Sequence, residues 1–363
     1  MKIRSSSDMK RIILIFFLAL LSAACTKHGG DNVGGSQLLI DASIQSGDPT
    51  RSVLYGNEFQ TGNKIGLFVY HAENTTLLEK LTLYGNRYGN IAGRYLGDNL
   101  WQYNFEGAST TFTDIYLMMP SEVVYREDRA LEICSYYPWT QGVTSITSVP
   151  FTLGGKSEDM ADVMWAAQNA TDENVVIPNR NTLPVTLTFN HALSLLKIGF
   201  RCAYDNKVSG TYIGTTMTVS SISIRRADRE GATPLHTAGK LNALTGKVIY
   251  SDADAKEVLT YDYTDNNSYT FAFRPENDYL YVPMLICPEE YLGDGDYILE
   301  FTFNGQTLRT RYEIKRDDVR GGFLPGHVYT FKFTMDNTIN FTGVQVEVDG
   351  PDKWTTESVN LIF

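Results

Sequence analysis

The chain has 363 residues, with 31 Lys and Arg against 42 Asp and Glu and a formal net charge of −11. That balance argues against nucleic acid as a partner and against docking on an anionic lipid surface. The 22 Tyr, 18 Phe and 4 Trp suit pleated sheets better than helices.

The chain opens with Lys2, Arg4, Lys10 and Arg11, and the run from Ile12 to Leu21 is almost wholly apolar. The run is too short for a hydrocarbon core, which needs about twenty residues. Residues 1–24 therefore read as a cleaved secretory signal. Ser22-Ala23-Ala24 leads directly into Cys25, the bacterial lipoprotein pattern in which the cysteine is acylated and becomes the new N-terminus. Two or more acyl chains give stable anchoring. The pattern departs from its usual form at Ser22, where a leucine is common, and an ordinary secretory cut is the alternative. Losing residues 1–24 removes a net +3 and leaves about −14 on the remainder. Residues 25–36, rich in Gly and polar side chains, read as a flexible tether.

The body is expected to be all-β. Strands are predicted at Leu38–Ile44, Lys64–Tyr70, Trp101–Phe105, Asp114–Met118 and Leu131–Tyr137. Glu158–Gln168 is the one helical stretch expected. Further strands are predicted at Val185–Phe189, Leu193–Phe200, Met217–Arg225, Lys247–Tyr250, Thr270–Phe273 and Tyr279–Ile286. The last seventy residues carry the clearest period of two. Tyr297, Leu299, Phe301 and Phe303 alternate with polar residues. Asn304-Gly305 then supplies a hairpin turn, and Leu308, Thr310, Tyr312 and Ile314 alternate in the returning strand. Tyr329, Phe331, Phe333 and Met335 form another, and Ile339–Val348 a last. The number of strands fits two sandwiches, with residues 37–180 in the first and 181–363 in the second.

Catalytic signatures are absent: there is no Gly-x-Ser-x-Gly elbow, His-Glu-x-x-His helix or phosphate loop. His28, His71, His191, His236 and His327 are scattered along the chain. The acid pairs at Asp252/Asp254, Asp294/Asp296, Glu289/Glu290 and Asp317/Asp318 read as turn or loop charges. Neither a metal nor a cofactor is expected. Cys134, Cys202 and Cys287 sit in apolar runs as small hydrophobes, with room for one disulfide at most.

Several short motifs together resemble the fimbrillin family of Bacteroidales, subunits of type V pili. They are Gly62-Asn63-Lys64-Ile65-Gly66-Leu67-Phe68, Tyr136-Tyr137-Pro138, Asp162-Val163-Met164-Trp165-Ala166, Phe189-Asn190-His191-Ala192-Leu193-Ser194-Leu195-Leu196, and Gly326-His327-Val328-Tyr329-Thr330-Phe331, followed by Trp354. The resemblance spans about residues 50–354. It implies two tandem transthyretin-like Greek-key β-sandwiches exported as an outer-membrane lipoprotein and displayed in a fimbrium. It further implies proteolysis between Arg51 and Ser52, which would release the strand carrying Leu38, Leu39, Ile40, Ala42 and Ile44. A strand from another pilin subunit would fill the opened groove by β-augmentation. The alternating Val359, Leu361 and Phe363 make the C-terminal segment a candidate donor. The expected partners are other subunits and a host or bacterial surface receptor. A monomeric glycan-binding lipoprotein and, less favoured, a glycan-active hydrolase are the alternatives. His191, placed between two strands, is expected to tie a domain junction and not to catalyse.

Overall fold

The computed structural model describes residues 36–38, 40–44, 59–71, 89–98, 100–104, 112, 117–119, 131–157, 160, 162–167, 185–202, 207–208, 211–212, 216–227, 235–264, 269–272, 279–290, 295–304, 308–335 and 340–350. The fold is all-β. Among the described residues the only α-helix is the single turn Arg316–Val319, and no helix is long and apolar enough to cross a membrane. The expected signal, residues 25–35 of the tether and the predicted boundary near residue 180 lie outside the described residues, and Ser36, read as the end of the tether, instead begins a short strand.

The N-terminal sheet has seven strands: β1 (Ile40–Ile44), β2 (Lys64–His71), β3 (Ile91–Gly97), β4 (Leu100–Asn104), β5 (Leu131–Tyr137), β6 (Met164–Ala167) and β7 (Val185–His191). Their order across the sheet is β1-β7-β6-β5-β2-β3-β4. Every pairing is antiparallel except β1 with β7, which is parallel. Both faces of the sheet's central strands are buried. Ile65, Leu67 and Val69 of β2 join Ile133 and Tyr137 of β5 in one apolar cluster. Phe68, Cys134 and Tyr136 point the other way, into a second and larger cluster. The period of two thus splits β2, β5 and β6 between two cores, which is why these central strands are apolar on both faces.

The C-terminal half holds β8 (Ser194–Cys202), β9 (Thr216–Arg226), β10 (Val258–Asp262), β11 (Leu280–Ile286), β12 (Tyr297–Phe303), β13 (Leu308–Glu313), β14 (Val328–Met335) and β15 (Phe341–Asp349). One sheet runs β11-β8-β14-β15. The other contains β13-β12-β9-β10. Phe200 from the first sheet meets Phe301 and Phe303 from the second edge-on, at 5.2 and 5.4 Å between ring centroids. Aromatic pairs in this arrangement contribute about 0.5–1.5 kcal/mol beyond their buried area. The segment between β5 and β6 crosses to this half: Val149–Thr152 pairs with Ala238–Asn242, and Gly155–Lys156 pairs with β10. The larger core is therefore built from residues on both sides of residue 180, Ile146 and Val149 among them.

The helix expected at 158–168 is not there. Residues 164–167 form β6, hydrogen-bonded on one side to β5 and on the other to β7. Met164 and Ala166 are buried, and Trp165 and Ala167 are half-buried. The helix-forming residues of this segment lose to insertion between two strands, because propensity is a weak prior against tertiary burial. Among the strands of four residues or more that went unread in the sequence are Ile91–Gly97, Val149–Thr152, Ala238–Asn242 and Val258–Asp262. The first is broken up by Gly93 and Gly97. Gly97 adopts φ +102°, a conformation glycine tolerates best.

Candidate strand-exchange edge

β1 is the edge strand of the N-terminal sheet. Ile40 to Ile44 run parallel to Val185 to Phe189, residue against residue, and β7 is the one strand that β1 pairs with among the described residues. Ala42 and Ile44 are buried at 7% and 5% exposure, while Ser43 between them is exposed. Both apolar side chains belong to the smaller core, with Leu187 and Phe189 of β7 and Phe59. The Phe59 ring stands edge-on to Phe189 at 5.1 Å and to Trp101 at 5.2 Å. Withdrawing β1 would uncover this aromatic floor and free the backbone edge of β7 to accept another strand.

Two features limit what holds β1 to the sheet. It is held along one edge by five residues, and parallel ladders are slightly weaker per residue than antiparallel ones. Its contribution to the core comes through only two described side chains, each worth about 1.5–3 kcal/mol for a large aliphatic group and less for alanine. Ser36–Leu38 pairs separately, antiparallel, with Leu117–Met119, Leu38 opposite Leu117. Leu39, the lipidation candidate Cys25, the cleavage candidates Arg51 and Ser52, and the donor candidates Val359, Leu361 and Phe363 lie outside the described residues.

Several motif residues lie on β2, β5, β6 and β7 of the same sheet. Gly66 sits directly beneath the Tyr136 ring, and a β-carbon there would collide with it. The Tyr136 hydroxyl donates to Asn90 Oδ1 at 2.5 Å. The Ser135 hydroxyl donates to the Gly66 carbonyl at 2.9 Å. Burial pushes the Tyr137 hydroxyl up to about 12, with the nearby Asp162 carboxyl adding to the shift. At the end of β7, His191 Nδ1 lies against Asp162 Oδ2 with both side chains essentially sealed from solvent. Asp162 Oδ1 has no hydrogen-bond partner among the described residues. The backbone closes around this pair: His191 stands opposite Met164, and the Ala192 amide donates to the Val163 carbonyl at 2.8 Å. The pair ties the end of β7 to the segment leading into β6.

One acid in each of three of the predicted acid pairs has a structural partner. Asp254 accepts from the Ser251 amide and hydroxyl at 2.9 and 2.8 Å. Asp318 accepts from the Lys315 amide at 2.8 Å and the Tyr312 hydroxyl at 2.9 Å. Glu289 is the hub of a buried cluster that sequence reading missed. It accepts from Arg226 Nη2 at 2.7 Å and from the His236 amide at 2.7 Å. Arg226 and His236 lie 63 and 53 residues before it in the chain, so no local pattern could have shown it. Among the described residues no group of three or more His, Cys, Asp and Glu is placed to hold a metal ion.

Stacked sheets packed through aromatic cores, with a short parallel strand closing one edge, define an all-β sandwich protein. The Fimbrillin-like family model matches residues 50–349, and the chain belongs to that family. Among solved structures, it is similar to a candidate cell adhesion protein from Bacteroides ovatus. That match has 15% identity and a TM-score of 0.55 and covers 90% of this chain and 100% of that one. A fimbrial protein from Bacteroides vulgatus is 14% identical with a TM-score of 0.47, covering 87% of this chain and 99% of that one. At such identities the likeness is one of fold. No curated protein matches the chain.

Proposed function

We propose that this protein is a cell-surface fimbrial subunit, carried to the outer membrane as a lipoprotein on Cys25. It polymerises by exchanging its edge strand and acts in adhesion, with no catalytic role. The observation that carries this reading is β1. It is a short parallel edge strand placed before Arg51 in the chain, and it buries Ala42 and Ile44 over a core that another apolar strand could cover in their place. β-augmentation supplies the physics: backbone hydrogen bonds along β7 provide affinity, and pockets for alternate side chains set the register. Membership of the Fimbrillin-like family supports the pilus role.

The test is made on protein taken from cells. N-terminal analysis of a matured shaft subunit should begin at Ser52, and that of an anchored precursor at acylated Cys25. A non-boiled gel should show a ladder of polymers that Arg51→Ala abolishes while export to the surface continues. A single monomer band in the native protein, or a ladder unchanged by Arg51→Ala, refutes cleavage-driven exchange.

A further inference from the structure

The outer face of the β11-β8-β14-β15 sheet gathers cations on a chain whose net charge is −11. Lys197 and Arg201 come from β8 and Lys332 from β14. Strand register places Tyr281, Gly199, Lys332 and Gln345 in one row across the four strands, and residues opposite one another in register share a face. Gly199 is the floor of this row. A β-carbon there would stand 2.8 Å from Tyr281 Cε1 and 3.3 Å from Tyr279 Cβ, so only glycine lets the Tyr281 ring lie across β8.

The two tyrosines hold two of the cations. Lys197 Nζ sits 4.5 Å from the Tyr281 ring centroid, and Arg201 Cζ sits 4.7 Å from that of Tyr279. Thr334 Oγ1 lies 3.2 Å from both Arg201 Nε and the Tyr279 hydroxyl. Lys332 Nζ donates to Glu347 Oε1 at 2.7 Å, and the Glu347 side chain is 55% exposed. Asp349 stands further along β15, opposite Val328. The opposite side of the sheet is locked into the core by Ile198, Phe200, Phe331 and Phe333. A long cationic side chain normally loses much rotamer freedom when it binds, and part of that loss is already met here by the aromatic rings.

We propose that this face binds a polyanionic glycan, whose carboxylate or sulfate groups bridge Lys197, Arg201 and Lys332 while Tyr279 and Tyr281 keep the cations in place. Neighbouring strands lie about 4.8 Å apart and alternate residues about 6.8 Å apart, so the cations are spread over a flat area that suits charges repeated along a polymer. An acidic peptide would gain most from an open backbone edge or a groove, and here β8 and β14 are paired on both sides. Glu347 competes with the ligand for Lys332. The proposal rests on the surface location and adhesive role proposed above, but binding by the purified chain does not depend on polymer formation, so either can fail alone.

The test uses the full chain purified in detergent, with polygalacturonate, heparin, neutral dextran and polyglutamate as probes. Polygalacturonate or heparin should bind and dextran should not, and which of the two binds more tightly shows whether carboxylate or sulfate is preferred. Affinity should fall several-fold as salt rises from about 0.05 to 0.2 M, as screening lengths shorten. The triple variant Lys197→Gln, Arg201→Gln, Lys332→Gln should lose at least about tenfold, since charge-assisted contacts are the strong ones. Tyr281→Phe should keep affinity because it keeps the ring, whereas Tyr281→Leu should weaken it about threefold. Glu347→Gln should tighten binding. The proposal is overturned if neither anionic glycan binds, if the triple variant binds as well as the native chain, or if polyglutamate binds as tightly as the glycans. Glu347→Gln keeps the test decisive should the triple variant fold poorly.

Discussion

Replacing His191 by Ala removes one half of a pair whose side chains are 1% and 0% exposed. Among the described residues Asp162 Oδ1 already has no hydrogen-bond partner, so the substitution strips Oδ2 of its His191 contact as well and leaves a carboxyl group sealed in the junction between β6 and β7. Removing one partner of a buried pair costs about 3–5 kcal/mol, most of it the desolvation of the group left behind. An exposed pair behaves differently. Lys332 and Glu347 are separated by 2.7 Å, but their side chains are 20% and 55% exposed, and breaking such a pair costs about 0–1 kcal/mol. Urea denaturation of the full chain should therefore show His191→Ala destabilised by several kcal/mol and Glu347→Gln almost unchanged. Asp162→Leu/His191→Leu should recover much of the loss, because an apolar pair leaves no charge buried. The reasoning is refuted if His191→Ala costs under about 1 kcal/mol, or if the double variant is no more stable than the single one.

Gly66→Ala should destabilise the chain by about 3 kcal/mol, since the Tyr136 ring must move and its buried hydrogen bond to Asn90 is strained; a change within about 0.5 kcal/mol in urea denaturation would show that the ring is not packed on Gly66. Burial raises the hydroxyls of Tyr136, Tyr137, Tyr250, Tyr261, Tyr263 and Tyr297 above the ordinary value of 10.0. With folded values above the unfolded one, their stabilisation is complete below pH 10 and is lost as pH climbs through the folded values, beginning with Tyr137 near 12. Absorbance titration near the phenolate band should show these tyrosines ionising together with unfolding above pH 10, and smooth ionisation of every tyrosine near pH 10 in a folded chain would contradict the burial argument.

The strands with an unbroken period of two were legible in the sequence. The hairpin predicted at Asn304-Gly305 joins β12 to β13 with Phe303 opposite Leu308, and Asn304 takes the positive φ of 49° expected of a tight turn. The motif positions were legible too, and they identified the family before any contact was known. Their meaning was not. Nothing local in Gly66 announces the Tyr136 ring seventy residues away, and nothing in Asp162 announces His191. The same holds for β6, whose four residues have helix-forming character and become a strand because β5 and β7 offer hydrogen bonds on both sides.

What the sequence determined by itself is the all-β class and most strand positions, because side-chain alternation is a property of the pleat and is written residue by residue. Tertiary structure alone decided which strands meet. The parallel pairings of β1 with β7 and β8 with β14 join segments more than a hundred residues apart. Such pairings are chosen by which faces bury together in a shared core, and no short stretch of chain carries that information.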